Sequence, residues 1–99
     1  MPTLTTAAIK ERRATVPDWR RYGTRLRRTY VFKDFPAAIR FVNEVARRAE
    51  KAWHHPDIDI RWNKVTLTLT THDQGGLTAK DFDLARVCDD LARRVPAKA

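Results

Sequence analysis

The spacing of the hydrophobic residues changes at Pro56, and this change limits the folds that the chain can adopt. Before Pro56, apolar residues recur every three to four positions, as on one face of a helix; they are Phe35, Ile39, Val42, Val45 or Ala46, and Ala49. After Pro56, apolar and polar residues alternate, as in strands with one buried face; the apolar ones are Ile58, Ile60, Trp62, Val65, Leu67 and Leu69. The pattern predicts a long helix from Asp34 to Pro56, then an antiparallel hairpin with its turn at Asn63-Lys64.

The segment before the long helix predicts one further helix and one further hairpin. Residues 4–15 have the composition of a helix, and Pro17 stops it. The stretch from Trp19 to Phe32 alternates apolar and polar residues, with Tyr22-Gly23-Thr24 as its turn.

A last helix is predicted after the glycine pair Gly75-Gly76. Thr78-Ala79-Lys80-Asp81 has the pattern of a capping box, in which the threonine and the aspartate side chains each bind a backbone N–H group of the other residue. Its apolar stripe follows, at Phe82, Ala85, Val87 or Cys88, Leu91 and Ala92. The predicted fold is α+β, in the order α-β-β-α-β-β-α: a four-stranded antiparallel sheet with helices on one face, forming one domain over residues 1–99.

Composition excludes several classes of protein. Hydrophobic residues make up 42% of the 99 positions and charged residues 32%, as in a globular domain. There is no run of roughly 18 apolar residues that would predict a membrane-spanning helix, and residues 1–6 lack the apolar core of a signal peptide. Cys88 is the sole cysteine, which excludes an internal disulfide and a cysteine-rich zinc site. We therefore expect a cytoplasmic protein, with Cys88 as a packing residue.

The net charge of +8 lies entirely in the first half of the chain. Residues 1–52 hold 13 Lys and Arg against 5 Asp and Glu, whereas residues 53–99 hold 7 of each sign. The excess is densest at Arg20, Arg21, Arg25, Arg27 and Arg28. Such a strip can contact nucleic-acid phosphates, but no aromatic interleaving, zinc-finger spacing or recognition-helix pattern accompanies it. We interpret it as a solvated face and disfavour a nucleic-acid partner.

All three histidines belong to one constellation that also includes two carboxylates and a tryptophan. It consists of Glu50, His54, His55, Trp62, His72 and Asp81. The unperturbed pKa of histidine, about 6.5, lets it give and take protons near neutral pH. With the turn at Asn63-Lys64, the hairpin brings residues 55–57 opposite roughly 70–72, so the histidines are predicted to meet at one end of the sheet. Adjacent strand residues point in opposite directions, so His54 and His55 are not expected to share a metal.

Each member of the constellation also has a purely structural interpretation. Glu50 can face solvent on the helix, Trp62 can belong to the core, and Asp81 can act only as a helix cap. Their joint occurrence at fixed spacing favours a functional site.

The spacing Glu-x3-His-His-Pro-x5-Trp-x9-His-x8-Asp resembles the signature of the pterin-4a-carbinolamine dehydratases. The resemblance covers nearly the whole chain. It includes Trp19, Phe32-x-Asp34-Phe35, Ala49-Glu50, Asn63-x-Val65 and Gly76-Leu77-Thr78-x-x-Asp81.

This resemblance implies a lyase that removes water from 4a-hydroxytetrahydrobiopterin, or a similar 4a-hydroxytetrahydropterin, in tetrahydrobiopterin recycling. It implies no metal and no organic cofactor. His54 and His72 are assigned as the general acid and the general base, with either order open. His55 is assigned to bind and orient the pterin. The substrate-binding residues would be Glu50, Trp53, Trp62, Thr70, Thr71, Asp73 and Asp81, with Glu50 holding a histidine tautomer or the amino edge of the ring.

Trp53 departs from the family pattern, because relatives often carry a small or polar residue at this position. Its side chain either adds a stacking wall to the pocket or anchors the end of the helix. We take the anchor as the expectation.

The resemblance also implies partners. A homodimer that joins sheets edge to edge is expected, with a homotetramer as the alternative, and the strand Leu26–Phe32 is the predicted pairing edge. An aromatic amino acid hydroxylase is a candidate partner in the same pathway, although the sequence does not indicate which hydroxylase, if any, supplies the substrate. The alternative function is a non-catalytic module that dimerises a transcription factor or assists assembly, which the complete histidine set disfavours.

Overall fold

A computed structural model describes residues 3–96 and contains the seven predicted elements in the predicted order. The helices are α1 (Thr6–Arg13), α2 (Phe35–Ala52) and α3 (Ala79–Arg93). The strands are β1 (Arg20–Tyr22), β2 (Arg25–Val31), β3 (Asp57–Arg61) and β4 (Lys64–Leu69), and a 3₁₀ turn spans His72–Gln74. The predicted α+β fold is confirmed. No helix among the described residues is long and apolar enough to cross a membrane.

A few predictions concern positions outside the described range. Met1 and Pro2, where the expectation of no signal peptide begins, lie outside the described residues, and so do the last three positions of the predicted domain.

The four strands form one antiparallel sheet in the order β1-β2-β4-β3. Its central strands point leucine, valine and tyrosine side chains towards the helices; the fully or almost fully buried ones are Leu26, Tyr30, Val65, Leu67 and Leu69. The opposite face carries arginines and threonines of β2 and β4 and is at most partly buried. The helices therefore cover one face of the sheet, as predicted, and the core lies between the two layers.

The turn of the second hairpin lies one residue earlier than predicted. Arg61 pairs with Lys64, so the turn residues are Trp62 and Asn63. Asn63 is buried, donates its side-chain Nδ2 to the Phe32 carbonyl oxygen at 2.9 Å and accepts the Phe32 N–H at 2.9 Å. These bonds hold Asn63 beside β2, and Trp62 takes the left-handed backbone conformation with φ of 53°. The prediction that residues 55–57 lie opposite 70–72 is therefore wrong. The pairing is shifted by two residues, so that Asp57 lies opposite Thr68.

The buried faces of α2 and β3 also differ from the prediction. The buried residues of α2 are Ala37, Ala38, Phe41, Val45 and Ala49. The predicted Phe35 is 49% exposed, because the helix turns its 38-41-45-49 stripe towards its neighbours instead. Ile58 and Ile60 of β3 are 39% and 36% exposed. β3 is an edge strand of the sheet, beyond the cover of the helices, so its alternating pattern did not lead to burial.

A polar cluster centred on Asp89 connects α3 to the sheet. One carboxylate oxygen, Oδ1, accepts from Trp19 Nε1 at 2.9 Å, from Arg28 Nη1 at 2.7 Å and from the Tyr30 hydroxyl. The Arg28 guanidinium also lies 4.2 Å from the centroid of the Tyr30 ring, a cation–π contact. Burial and the bond to Asp89 raise the pKa of Tyr30 well above its usual value. The Tyr30 hydroxyl therefore stays protonated near neutral pH, and the Asp89 carboxylate keeps all three hydrogen-bond donors.

Cys88 is fully buried in α3 next to this cluster. Burial raises the pKa of its thiol to about 12, so the thiol is protonated and unreactive near neutral pH. This agrees with its predicted role in packing.

Candidate active site

The end of α2 directs His54 into the protein. The helix ends at Ala52, earlier than the predicted stop at Pro56. Trp53 adopts the left-handed conformation, with φ of 52° and ψ of 46°, and its N–H binds the carbonyls of Ala49 and Glu50. For a residue with a side chain this conformation costs about 1–2 kcal/mol. The chain reverses there, the His54 N–H donates to the Ala49 carbonyl at 3.1 Å, and His54 is only 8% exposed.

His54 is held by a buried carboxylate. Its Nε2 lies 2.6 Å from Asp81 Oδ1, and Asp81 is fully buried. The other oxygen, Oδ2, accepts from the Thr71 hydroxyl at 2.9 Å and from the Thr78 N–H at 2.9 Å. Because an ionised carboxylate can only accept, the Nε2–H of His54 is the donor in this contact. The short bond length is typical of a charge-assisted hydrogen bond.

Thr78 completes this network. Its hydroxyl lies 2.8 Å from the Thr71 hydroxyl, which already donates to Asp81, so Thr78 is the donor in this contact. The predicted capping box at the start of α3 is confirmed, with Thr78 and Asp81 as its two members. Asp81 therefore caps the helix with one oxygen and holds His54 with the other. Its predicted role in substrate binding stays a prediction, since its side chain is fully buried and these bonds go to protein groups.

A second pair, Glu50 and His55, lies at the surface beside this network. The distance from His55 Nε2 to Glu50 Oε1 is 2.7 Å, and both side chains are more than half exposed. The His55 ring stands edge-on to Trp53, with ring centres 5.2 Å apart. Such exposed pairs contribute little to stability. The contact sets the direction of the His55 ring in this structure, and the predicted role of Glu50 in holding a histidine tautomer stays a prediction.

A cleft of about 240 Å³ opens next to His54. It is lined by Trp53, His54, Thr71, Asp73, Gln74 and Lys80. Four of these were predicted site residues. Trp53 is 73% exposed and lines the cleft, which favours the wall interpretation over the anchor, and its role towards a substrate stays a prediction. Gln74 and Lys80 were missed, and no spacing in the sequence distinguished them from other surface residues.

The remaining predicted residues lie outside this cleft lining. His72 is exposed and begins the 3₁₀ turn, between the cleft residues Thr71 and Asp73. Thr70 donates its hydroxyl to the Thr24 carbonyl at 2.6 Å, which joins the first hairpin turn to the end of β4. Trp62 lies at the opposite end of β3, five residues beyond its first residue, or about 17 Å away at the usual strand rise.

The described residues contain no group of three or more His, Cys, Asp or Glu side chains that could hold a metal ion. The expectation of metal-free chemistry stays a prediction, to be tested by experiment.

Comparison with known proteins identifies relatives of this fold and this sequence. Residues 2–91 match the family model described as Pterin 4 alpha carbinolamine dehydratase. A Roseiflexus sp. (strain RS-1) protein is 57% identical over 88 residues, which are 89% of this chain and 95% of the relative. A Nocardia farcinica protein is 59% identical over 78 residues, 79% of this chain and 82% of the relative. Both bear the provisional name pterin-4-alpha-carbinolamine dehydratase.

Two solved structures share the fold. The crystal structure of a transcriptional coactivator/pterin dehydratase from Brucella melitensis has a TM-score of 0.88 and 33% identity, covering 91% of this chain and 98% of that one. A pterin dehydratase-like protein identified as a RuBisCO assembly factor in the alpha-carboxysome has a TM-score of 0.66 and 24% identity, covering 76% and 89%. The second likeness is one of fold alone. With the family match over residues 2–91, the chain belongs to the pterin-4a-carbinolamine dehydratase family.

Proposed function

We propose that this protein dehydrates a 4a-hydroxytetrahydropterin, a 4a-carbinolamine, to quinonoid dihydropterin and water. The observation that carries this proposal is the buried Asp81 that holds His54 at the wall of an open cleft. A histidine with one nitrogen fixed and the other free is a ready proton acceptor. Membership of the dehydratase family supports the choice of substrate class.

The proposed reaction moves one proton in each direction and changes no oxidation state. The C4a–O bond breaks, and the hydroxyl leaves with an added proton as water. The N5–H bond loses its proton, and its electron pair forms the C=N bond of the product. One proton donor and one proton acceptor on the protein are sufficient, because the ring nitrogen supplies the electrons that expel the hydroxyl.

We assign the acceptor role to His54 and the donor role to His72. The imidazolium that forms when His54 takes a proton is stabilised by Asp81 at 2.6 Å. His72 is exposed between two residues that line the cleft, where it can reach a substrate hydroxyl and exchange protons with solvent. Thr71 serves the site through Asp81, to which it donates.

The other predicted residues bind rather than react. His55, fixed by Glu50 and Trp53, orients the ring from the surface side. Trp53 offers its indole face to the pterin, and Asp73 can accept from the amino edge of the ring. Trp62 has no part in this proposal, because it lies at the far end of β3.

The proposal is tested by a dehydration assay on freshly generated 4a-carbinolamine. We expect the rate to rise in proportion to the protein concentration. A rate equal to the uncatalysed background at every protein concentration would overturn the proposal and favour a non-catalytic binding role. The predicted aromatic amino acid hydroxylase is one source of the substrate, and an assay coupled to such an enzyme would test that partnership.

We also propose that the protein is a homo-oligomer, with a dimer as the minimum and a tetramer as the alternative. The predicted pairing edge Leu26–Phe32 is wrong, because β2 is bonded on both sides by β1 and β4. The free edges are β1 and β3. β3 exposes Ile58 and Ile60, and α2 exposes Phe35, so apolar surface accompanies unpaired backbone groups. Light scattering that gave the monomer mass of 11.5 kDa at micromolar concentration would contradict this proposal.

A further inference from the structure

A groove continues from the candidate site along the surface between α2 and α3. It has a volume of about 310 Å³ and shares His54 and Lys80 with the site cleft. Its other lining residues are Arg48, Lys51, Ala52, Asp83, Leu84 and Val87. Because the two depressions share these two residues, they adjoin each other at His54 and Lys80.

The rim of the groove is positively charged. Arg48, Lys51 and Lys80 supply three cations, and none of them belongs to an ion pair among residues 3–96. The single carboxylate of the rim, on Asp83, is already paired with Arg86 one turn along α3. The groove therefore has an uncompensated positive charge that favours an anion.

The floor of the groove is apolar. Leu84 is 4% exposed and forms the floor with the partly buried Val87, while Ala52 adds a methyl group from the end of α2. An apolar floor below a cationic rim suits a ligand whose carbon chain lies flat and whose anionic end reaches the rim.

The chemistry of the ring indicates which part of a substrate would reach this groove. In a tetrahydropterin the reacting atoms C4a and N5 are followed directly by C6, which carries the variable substituent. When N5 faces His54, the C6 substituent leaves the ring beside that histidine, where the cleft meets the groove. The amino edge of the ring then points away, towards Asp73 and Gln74.

We infer, on the basis of the proposed function, that the groove binds an anionic substituent at C6 of the pterin. The preferred substrates are then 4a-hydroxytetrahydropterins whose C6 chain ends in a phosphate or a carboxylate. Size supports this inference. The cleft of about 240 Å³ is smaller than the roughly 300–1,000 Å³ of usual ligand sites, and the groove extends it into that range.

Binding of oxidised pterins tests the groove without any turnover. The probes are 6-hydroxymethylpterin and its phosphate ester, which have the same fluorescent ring and differ only in the charge of the substituent. We expect the ester to bind about tenfold more tightly at low ionic strength, and the preference to fade as salt approaches about 1 M. Equal affinities of the two probes at low salt would overturn the inference.

A double variant, Arg48→Gln with Lys51→Gln, shows whether the groove is the source of that preference. We expect the affinity ratio of ester to alcohol to fall to less than about threefold. Arg40→Gln is the matched control, since Arg40 is exposed on the same helix, outside the groove lining. It should keep the full ratio, and an equal loss in this control would show a general charge effect and contradict the inference.

The same probes in their 4a-carbinolamine form separate this inference from the proposed function. Tighter binding of the ester without acceleration of either dehydration would support the groove and overturn the dehydratase proposal. The opposite result is that both dehydrations are accelerated with equal kcat/KM and that the double variant does not change this. It would support the dehydratase proposal and overturn the inference that the groove binds an anionic substituent.

Discussion

Helix α3 carries one buried and one partly buried carboxylate, eight residues or about two turns apart, which bind different partners. Asp81 is fully buried and binds a histidine at the wall of a cleft. The Asp89 side chain is 11% exposed and binds Trp19, Arg28 and Tyr30. Both accept several hydrogen bonds, so burial and bond number alone do not distinguish a functional carboxylate from a structural one.

The difference lies in what each carboxylate holds. None of the three donors on Asp89 changes its charge near neutral pH, because tryptophan has no titratable proton, arginine stays charged and burial raises the pKa of Tyr30. His54, in contrast, lines an open cleft, where its ring can meet a bound molecule. We propose that Asp81 has a functional role because its partner lines a cleft, whereas the partners of Asp89 form part of the core.

The largest expected effect is on catalysis at the Asp81 end. His54→Ala should reduce the rate of dehydration by about 10²–10⁴-fold, the usual contribution of a general base. His72→Ala should cost on the order of 10²-fold, and the double variant should lose less than the product of the two single losses. Single-turnover rates measure these effects, with circular dichroism as the control for folding. Near wild-type turnover in a folded His54→Ala variant would contradict its assignment.

A smaller effect is expected at the Asp89 end. Tyr30→Phe removes one of the three donors while keeping the ring that stacks in the core. We expect the free energy of unfolding to fall by about 1–2 kcal/mol, measured by urea denaturation, while kcat stays at the wild-type value. A drop in kcat as large as that of His72→Ala would mean that the two ends of α3 are not separable.

The smallest expected effect is that of metal removal. Dialysis against a chelator should leave the dehydration rate within error of the untreated protein, since the proposed chemistry needs only proton donors and acceptors. Elemental analysis before and after dialysis is the control. Stoichiometric zinc, with activity lost on its removal and restored on its return, would replace the histidine mechanism by a metal-assisted one.

The order of the elements could be predicted because local signals were strong. The repeat of α2, the alternation in β4 and the capping box Thr78–Asp81 all depend on neighbours in sequence. Three features could not be predicted, because they depend on which elements pack together. They are the exposure of β3, the central position of β2 and the exact turn at Trp62-Asn63. Asn63, for example, sets the turn through its bonds to Phe32, 31 residues away.

The candidate site was predicted only in part for the same reason. The histidines and Asp81 stood out by residue type and spacing. Other features of the site arise only where three separate segments meet in the fold. They are the bonds of Asp81 to His54 and Thr71, and the position of Lys80 in the lining of two depressions. The Asp89 cluster had no sequence signal, since an aspartate in a helix normally faces solvent.

The most direct test of the central claim compares Asp81→Asn with Asp89→Asn in the same two assays. Asparagine keeps the shape of each side chain but removes the charge. We predict that Asp81→Asn lowers kcat by about 10²-fold or more, because the asparagine no longer holds His54 in the required tautomer or stabilises its imidazolium. Asp89→Asn should instead lower the free energy of unfolding by about 2–4 kcal/mol with kcat unchanged below the unfolding transition. Equal effects of the two substitutions on kcat would contradict the account.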